Sequence, residues 1–193
     1  MLEHKIILAS GSPRRAEILK VLGWPFEAIT AGIDEQRHDG EDAVAYVTRL
    51  AQAKARAVAG RVSSGIVVGA DTVVVTDSAI LGQPRDQADA RRMLGLLNGR
   101  WHEVLTGIAL VRAGSNGQSI VEHEKTRVRF GEVTAEEINW YVSTGEPMDK
   151  AGAYAVQGKA ALFIEEIQGE YFNIMGLPVR LLFKLIKRIT AAD

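Results

Sequence analysis

The sequence predicts an α/β fold with a mixed sheet, and three observations carry that prediction. Apolar runs of strand length alternate with segments whose apolar residues recur at helical spacing. The chain opens as strand, tight Gly-Ser loop and helix, the way a parallel α/β unit begins. Residues 101–113 and 119–130 then read as two strands joined by Gly114-Ser115-Asn116-Gly117, a hairpin that adds antiparallel pairing.

Lys5-Ile6-Ile7-Leu8 is the first strand. Ser12 stands where a helix N-cap belongs, and Pro13 suits the first helical position, which needs no backbone N–H. Ile18 and Leu22 give that helix an apolar face. Residues 25–30 read as a second strand and 31–40 as a polar loop, in which Glu35 reads as a solvated charge. Across 41–59, Val44, Val47, Leu50, Ala51 and Val58 trace one helical face, and Lys54 falls on it. A lysine so placed either snorkels outward or reaches a buried anion, and spacing leaves both open. Residues 65–75 read as a buried strand, interrupted at Asp71 where the chain is expected to leave the sheet core.

Asp86 caps the next helix, whose apolar face is Ala90, Met93, Leu94 and Leu97, and Asn98-Gly99 ends it. His102 and His123 are expected on strand surfaces, with no partner spacing for a metal. Thr134 and Glu137 form a capping box for a helix reaching about Ser143. Residues 149–159 are rich in small residues and polar punctuation, so they are expected to line a pocket. Residues 163–167 are a strand, and Gly169-Glu170 turns out of it. From about Leu177 a last helix turns Val179, Leu182, Phe183, Leu185 and Ile186 inward and leaves Arg180, Lys184, Lys187 and Arg188 on a solvated face. No linker composition marks a boundary, so residues 1–193 are expected to form one domain, at most in two lobes.

Composition narrows the function classes. A net charge of -1 gives no bulk attraction to nucleic acid or an anionic membrane. The absence of cysteine excludes disulfides, thiolate metal sites and cysteine nucleophiles. No apolar run approaches a membrane span, and residues 1–9 lack a signal peptide's apolar region, so a cytoplasmic location is expected.

Two places point to chemistry. Arg14 and Arg15 fall in the first turn of a helix, where the macrodipole is already positive and acidic side chains are favoured. An anion resolves that conflict. Backbone N–H groups, the hydroxyls of Ser10 and Ser12 and two guanidiniums together suit phosphate. Solvated, idle arginines are the alternative. Asp71, set among small residues in Gly69-Ala70-Asp71-Thr72, is a candidate base or metal ligand; a turn-forming aspartate is its alternative. Neither a P-loop nor a Gly-x-Gly-x-x-Gly turn occurs, so any phosphate site is of another kind.

Taken together, Ser10-Gly11-Ser12-Pro13-Arg14-Arg15, Arg49-Leu50-Ala51 with Lys54-Ala55, Gly69-Ala70-Asp71-Thr72, Lys150-Ala151-Gly152-Ala153-Tyr154 with Gln157-Gly158, and Asn173 to Pro178 resemble the signature blocks of the Maf family, in the family's order and across nearly the whole chain. The resemblance implies an elongated mixed-sheet fold like that of inosine triphosphate pyrophosphatases, with two lobes flanking a cleft. It implies a nucleoside triphosphate pyrophosphatase that releases nucleoside monophosphate and pyrophosphate, uses Mg²⁺ or Mn²⁺, commonly dimerises and clears unwanted nucleotides. Asp71 then matches the proton acceptor, and Ser10, Arg14 and Arg15 the phosphate loop. Glu35 and Lys54 match an acid and a lysine of the same cleft, Glu35 being the implied metal partner. Arg14, Thr72 and Gln157 match positions tied to substrate preference.

The block ending in Gln157-Gly158 resembles the branch acting on dTTP and UTP, with modified pyrimidine nucleotides as further candidates. A glutamine amide can accept from N3–H and donate to O4, an edge that uracil and thymine share. The alternatives are the 7-methyl-GTP branch and a nucleotide-binding regulator of septum formation without turnover. Gln83 departs from the family's usual lysine, and the missing charge predicts weaker or slower action on a triphosphate, not its loss.

Overall fold

The computed structural model describes residues 4–77, 79–114 and 118–191. Seven strands and six helices follow one another among them as β1 (Ile6–Leu8), α1 (Pro13–Val21), β2 (Phe26–Ala28), α2 (Ala43–Ala59), β3 (Gly65–Val75), β4 (Ile80–Leu81), α3 (Gln87–Leu97), β5 (Trp101–Ala113), β6 (Ser119–Phe130), α4 (Ala135–Ser143), β7 (Ile164–Gln168), α5 (Tyr171–Ile174) and α6 (Val179–Thr190). The sheet order is β2-β1-β3-β5-β6-β7, with β4 paired to β3. β1 is parallel to both neighbours, whereas β3 and β4, and β6 and β7, pair antiparallel, so the sheet is mixed as expected. Residues 115–117, in the expected hairpin link, lie outside the described residues.

The chain divides into two compact units. One comprises Met1–Asp71, Thr106–Glu124 and Gly176–Asp193, the other Thr72–Leu105 and Lys125–Met175. The chain passes from one to the other inside β3, inside β5, inside β6 and between α5 and α6. A boundary inside a strand needs no Gly- or Pro-rich linker, so composition carries no sign of it.

In the first unit, β1 is buried at every residue, which its unbroken apolar run requires of a strand covered on both faces. Ile7 and Val67 pack with Ala51, Ala55 and Val58 of α2 and Ala109 and Val111 of β5. The approach of α2 to the strands depends on glycine. A Cβ on Gly69 would stand 2.1 Å from the Ala51 carbonyl oxygen, and one on Gly107 would stand 2.3 Å from that of Val47.

The second unit packs Met93, Leu94 and Leu97 of α3 against Phe130, Tyr141, Tyr154 and Phe163. Two expectations are corrected here. His102 is only 2% exposed, with Nε2 2.9 Å from the Tyr154 hydroxyl and its ring edge-on to Phe130. β5 is buried without alternation from Val104 to Val111, so a strand position there does not imply a surface. Residues 149–159 hold no strand. Short 3₁₀ turns at Glu146–Asp149 and Ala151–Ala153 fold Ala153 and Tyr154 into the core, where pocket lining was expected. β4 and α5 went unforeseen because two and four residues are too short to show a period. Among the described residues, no helix is long and apolar enough to cross a membrane.

Candidate active site

The site begins where β1 ends. Leu8 is the last residue of β1 to pair with β3, and the Ala9 N–H donates to the Val68 carbonyl at 2.8 Å. Ser12 then takes the N-cap position of α1 with Pro13 behind it, but its side chain makes no cap bond. Ser10 organises the loop instead. Its Oγ accepts from the Ser12 N–H at 3.2 Å and from Arg15 Nη1 at 3.1 Å. Arg15 also donates from Nε to the Gly176 carbonyl at 2.7 Å. The two arginines therefore differ: Arg15 is a buried anchor under the loop, and Arg14 is half-buried in the first helical turn. Burial lowers the Arg15 pKa; Asp71 opposes that, Arg14 adds to it and Glu35 opposes it.

Lys54 resolves the choice that spacing left open. Its Nζ donates to Asp71 Oδ1 at 2.7 Å and to Glu35 Oε2 at 2.9 Å. Lys54 and Asp71 are each 8% exposed and Arg15 9%. Charges at that depth persist only when paired. The pairing follows from the glycine contact. Gly69 lets α2 come down at Ala51 and Ala55, and Lys54 is the residue before Ala55. Asp71 lies two residues beyond Gly69, on the same face of β3. Lysine and aspartate therefore meet where helix and strand are closest.

The strand does not leave the core at Asp71, contrary to expectation. β3 runs unbroken to Val75, with Ala70, Val73 and Val74 buried. The strand that ends there is β1, three residues short of Asp71 in register. Burial raises the Asp71 pKa; Lys54 and Arg15 pull it back, and Glu35 pushes the same way as burial. Of the two carboxylates on Lys54, Glu35 is the open one, its side chain 55% exposed.

No group of three or more His, Cys, Asp or Glu suited to a metal occurs among the described residues. Two carboxylates converge on a single cation, however, through Asp71 Oδ1 and Glu35 Oε2. That donor set fits a hard divalent ion whose remaining ligands are water and phosphate oxygens, and it does not fit an all-protein cage.

The structure thus hydrogen-bonds Lys54 to Asp71 and Glu35, and Arg15 to Ser10, with the Arg15 charge felt at both carboxylates; Ser12 and Arg14 neighbour Ser10 and Arg15 along the chain. Thr72 follows Asp71 in β3 and opens the second unit. Gln83 and Gln157 also belong to that unit, and both are exposed. Gln83 Nε2 donates to the Asp149 carbonyl at 3.2 Å. Gln157 lies in a turn closed by Gly158 N–H on the Ala155 carbonyl. Glu146 braces that turn, accepting from the Tyr141 hydroxyl at 2.9 Å and the Lys159 N–H at 3.2 Å. Glu146 and the Gly176 carbonyl escaped sequence reasoning. Neither stands in an apolar period or an anomalous charge position, the two signals that mark single residues.

The family model described as Maf-like protein matches residues 5–189. The chain belongs to the Maf family. This Maf chain is 51% identical over 176 residues to a dTTP/UTP pyrophosphatase of Symbiobacterium thermophilum, covering 91% of this chain and 89% of the relative. It is 46% identical over 184 residues to a protein of the same name from Bacillus cytotoxicus, covering 95% of each. Among solved structures, the Staphylococcus aureus Ham1 protein superposes with a TM-score of 0.52 at 14% identity, over 95% of this chain and 98% of that one. That likeness is one of fold alone, and it agrees with the mixed α/β architecture that the Maf resemblance implied.

Proposed function

We propose that this protein hydrolyses dTTP and UTP to the nucleoside monophosphate and pyrophosphate, clearing unwanted pyrimidine nucleotides in the cytoplasm. One observation carries the reading: a buried ammonium held between Asp71 and Glu35, with Arg15 beside them, at the end of β1. The names of the relatives supply the substrate class.

A triphosphate is a polyanion, so attack on it needs neutralising groups that are already in place. Arg14, Arg15 and Lys54 supply them, with the N–H groups at the start of α1. Asp71 orients a water and takes its proton as the oxygen bonds to the α-phosphorus. The bond from that phosphorus to the bridging oxygen breaks, and pyrophosphate leaves. Mg²⁺ or Mn²⁺ held by Glu35 and Asp71 would offset phosphate charge and make water easier to deprotonate. Gln157 reads N3–H and O4 of the base, and Thr72 and Arg14 contribute to substrate preference.

The test is a nucleotide panel with Mg²⁺ and identification of products. The reading expects dTTP and UTP to give monophosphate and pyrophosphate. Preference for 7-methyl-GTP would move the protein to the other branch. Nucleotide binding with no product would make it a regulator. The same reading takes the active form to be a homodimer, which sedimentation equilibrium in the analytical ultracentrifuge would show as a single species of twice the chain mass.

A further inference from the structure

Glu35 lies in a stretch, residues 29–42, with no helix or strand to hold it, yet its carboxylate meets Lys54 at 2.9 Å. We infer that Tyr46 and Arg49 of α2 are positioning residues that fix Glu35 beside Asp71. The inference rests on the pyrophosphatase reading and adds to it residues that act without touching substrate.

The hydrogen bonds converge on two consecutive carbonyls. The Tyr46 hydroxyl donates to the Glu35 carbonyl at 2.8 Å, and Arg49 Nη2 donates to the Gln36 carbonyl at 3.0 Å. Tyr46 and Arg49 lie three apart, hence on neighbouring positions of one helical face. Arg49 is itself held. Its Nε and Nη2 donate to the two oxygens of Glu41 at 2.6 and 2.8 Å, and its guanidinium lies 5.6 Å from the centre of the Tyr46 ring. A planar fork held at both oxygens has little freedom left. Glu41 closes the circuit, because it ends the same loop and accepts from the His38 N–H at 3.1 Å. The helix that grips the Glu35 backbone is also the helix that carries Lys54. Loop and partner are thus referenced to one rigid element.

A brace that only stabilised the fold would have the same bonds, so the test must separate the two roles. Glu35→Gln, Arg49→Ala and the double variant are compared for kcat and KM on dTTP with Mg²⁺, and for amide exchange across the first unit. Arg49→Ala is expected to lower kcat/KM about tenfold to a hundredfold, the cost of misplacing a group by about an ångström. In the Glu35→Gln background the same change is expected to cost less than about twofold, because a residue acting through another loses its effect with it. Amide exchange should quicken in residues 34–41 and hold steady in β1 and β3. Arg49→Lys should recover part of the rate, and Tyr46→Phe should lose less than Arg49→Ala. Equal losses from Arg49→Ala in both backgrounds, or exchange quickened throughout the unit, overturn the inference. A Glu35→Gln enzyme as fast as the parent overturns it too, by removing Glu35 from the reaction. A parent enzyme without turnover strikes the pyrophosphatase reading, which separates that failure from the others.

Discussion

Replacing Asp71 by asparagine removes a charge but keeps the side chain's shape and part of its hydrogen-bonding capacity. If Asp71 takes the proton from water, Asp71→Asn lowers kcat by about 10²- to 10⁴-fold while KM for dTTP stays near the parent value. The pH dependence has a definite sign. The working form is the carboxylate, so the rate falls as pH falls through its pKa. Burial holds that pKa above the ordinary aspartate range, so the acid limb of kcat/KM lies above the pH at which an ordinary aspartate titrates. A limb at or below the ordinary value argues against Asp71 as the group that titrates. Gln83 is exposed, and a charge at an exposed position gains little. Gln83→Lys is expected to raise kcat/KM by about fivefold, the scale of one exposed ion pair. An unchanged or lower value contradicts the expectation. At this scale the sequence was informative where a residue broke a local rule. Lys54 on an apolar face, Asp71 in an apolar strand and two arginines at a helix N-terminus each did so. Glu35 broke none, and only the resemblance lifted it from the background.

Among the elements, the contact of α2 with β3 sets the distance from Lys54 to Asp71. Gly69→Ala puts a methyl group against the Ala51 carbonyl, a backbone atom that cannot swing away. The variant is expected to lose about 1–3 kcal/mol of stability, measured by urea unfolding, and to lose activity with it as α2 is pushed from β3. An enzyme with parental stability and rate would show that α2 is not held by that contact. β5 carries a second prediction. His102 is buried neutral, its pKa lowered to about 4 by burial from the ordinary 6.5. Below about 6.5 the unfolded chain takes up a proton that the folded chain refuses until about 4. Stability from this group is therefore whole above that window and falls as pH drops through it, by up to about 3 kcal/mol. His102→Phe keeps an aromatic ring beside Phe130 and should flatten the slope of stability against pH in that window. An unaltered slope assigns it to other groups. Helices and long strands were legible here because their apolar periods were long. The burial of His102 was not, since a polar ring between Trp101 and Glu103 belongs to no unbroken apolar run that would mark both faces as covered.

At the scale of the molecule, the chain builds two compact units by crossing between them inside three of its strands and once between α5 and α6. That arrangement leaves no trace in composition, so a sequence read as one domain of at most two lobes marks no boundary between them. The catalytic candidate Asp71, with the phosphate-binding and metal candidates at 10, 15, 35 and 54, falls in one unit, and the substrate candidates at 83 and 157 fall in the other. Such a division predicts separable defects. Changes at Gln157 should alter the ratio of dTTP to purine nucleotide turnover, whereas changes at Lys54 should slow all nucleotides alike. Steady-state rates on dTTP, UTP and GTP for Gln157→Ala and Lys54→Met test this, and a selectivity shift from Lys54→Met would contradict it.

The account turns on water being delivered to the α-phosphorus by the acid paired to Lys54. Hydrolysis of dTTP with Mg²⁺ in water labelled with heavy oxygen reads that step directly by mass spectrometry of the products. One labelled oxygen in the monophosphate, none in the pyrophosphate, and labelled monophosphate formed about 10²- to 10⁴-fold more slowly by Asp71→Asn is the predicted result. Label in pyrophosphate or in inorganic phosphate, or labelled monophosphate formed at the parent rate by Asp71→Asn, would contradict it.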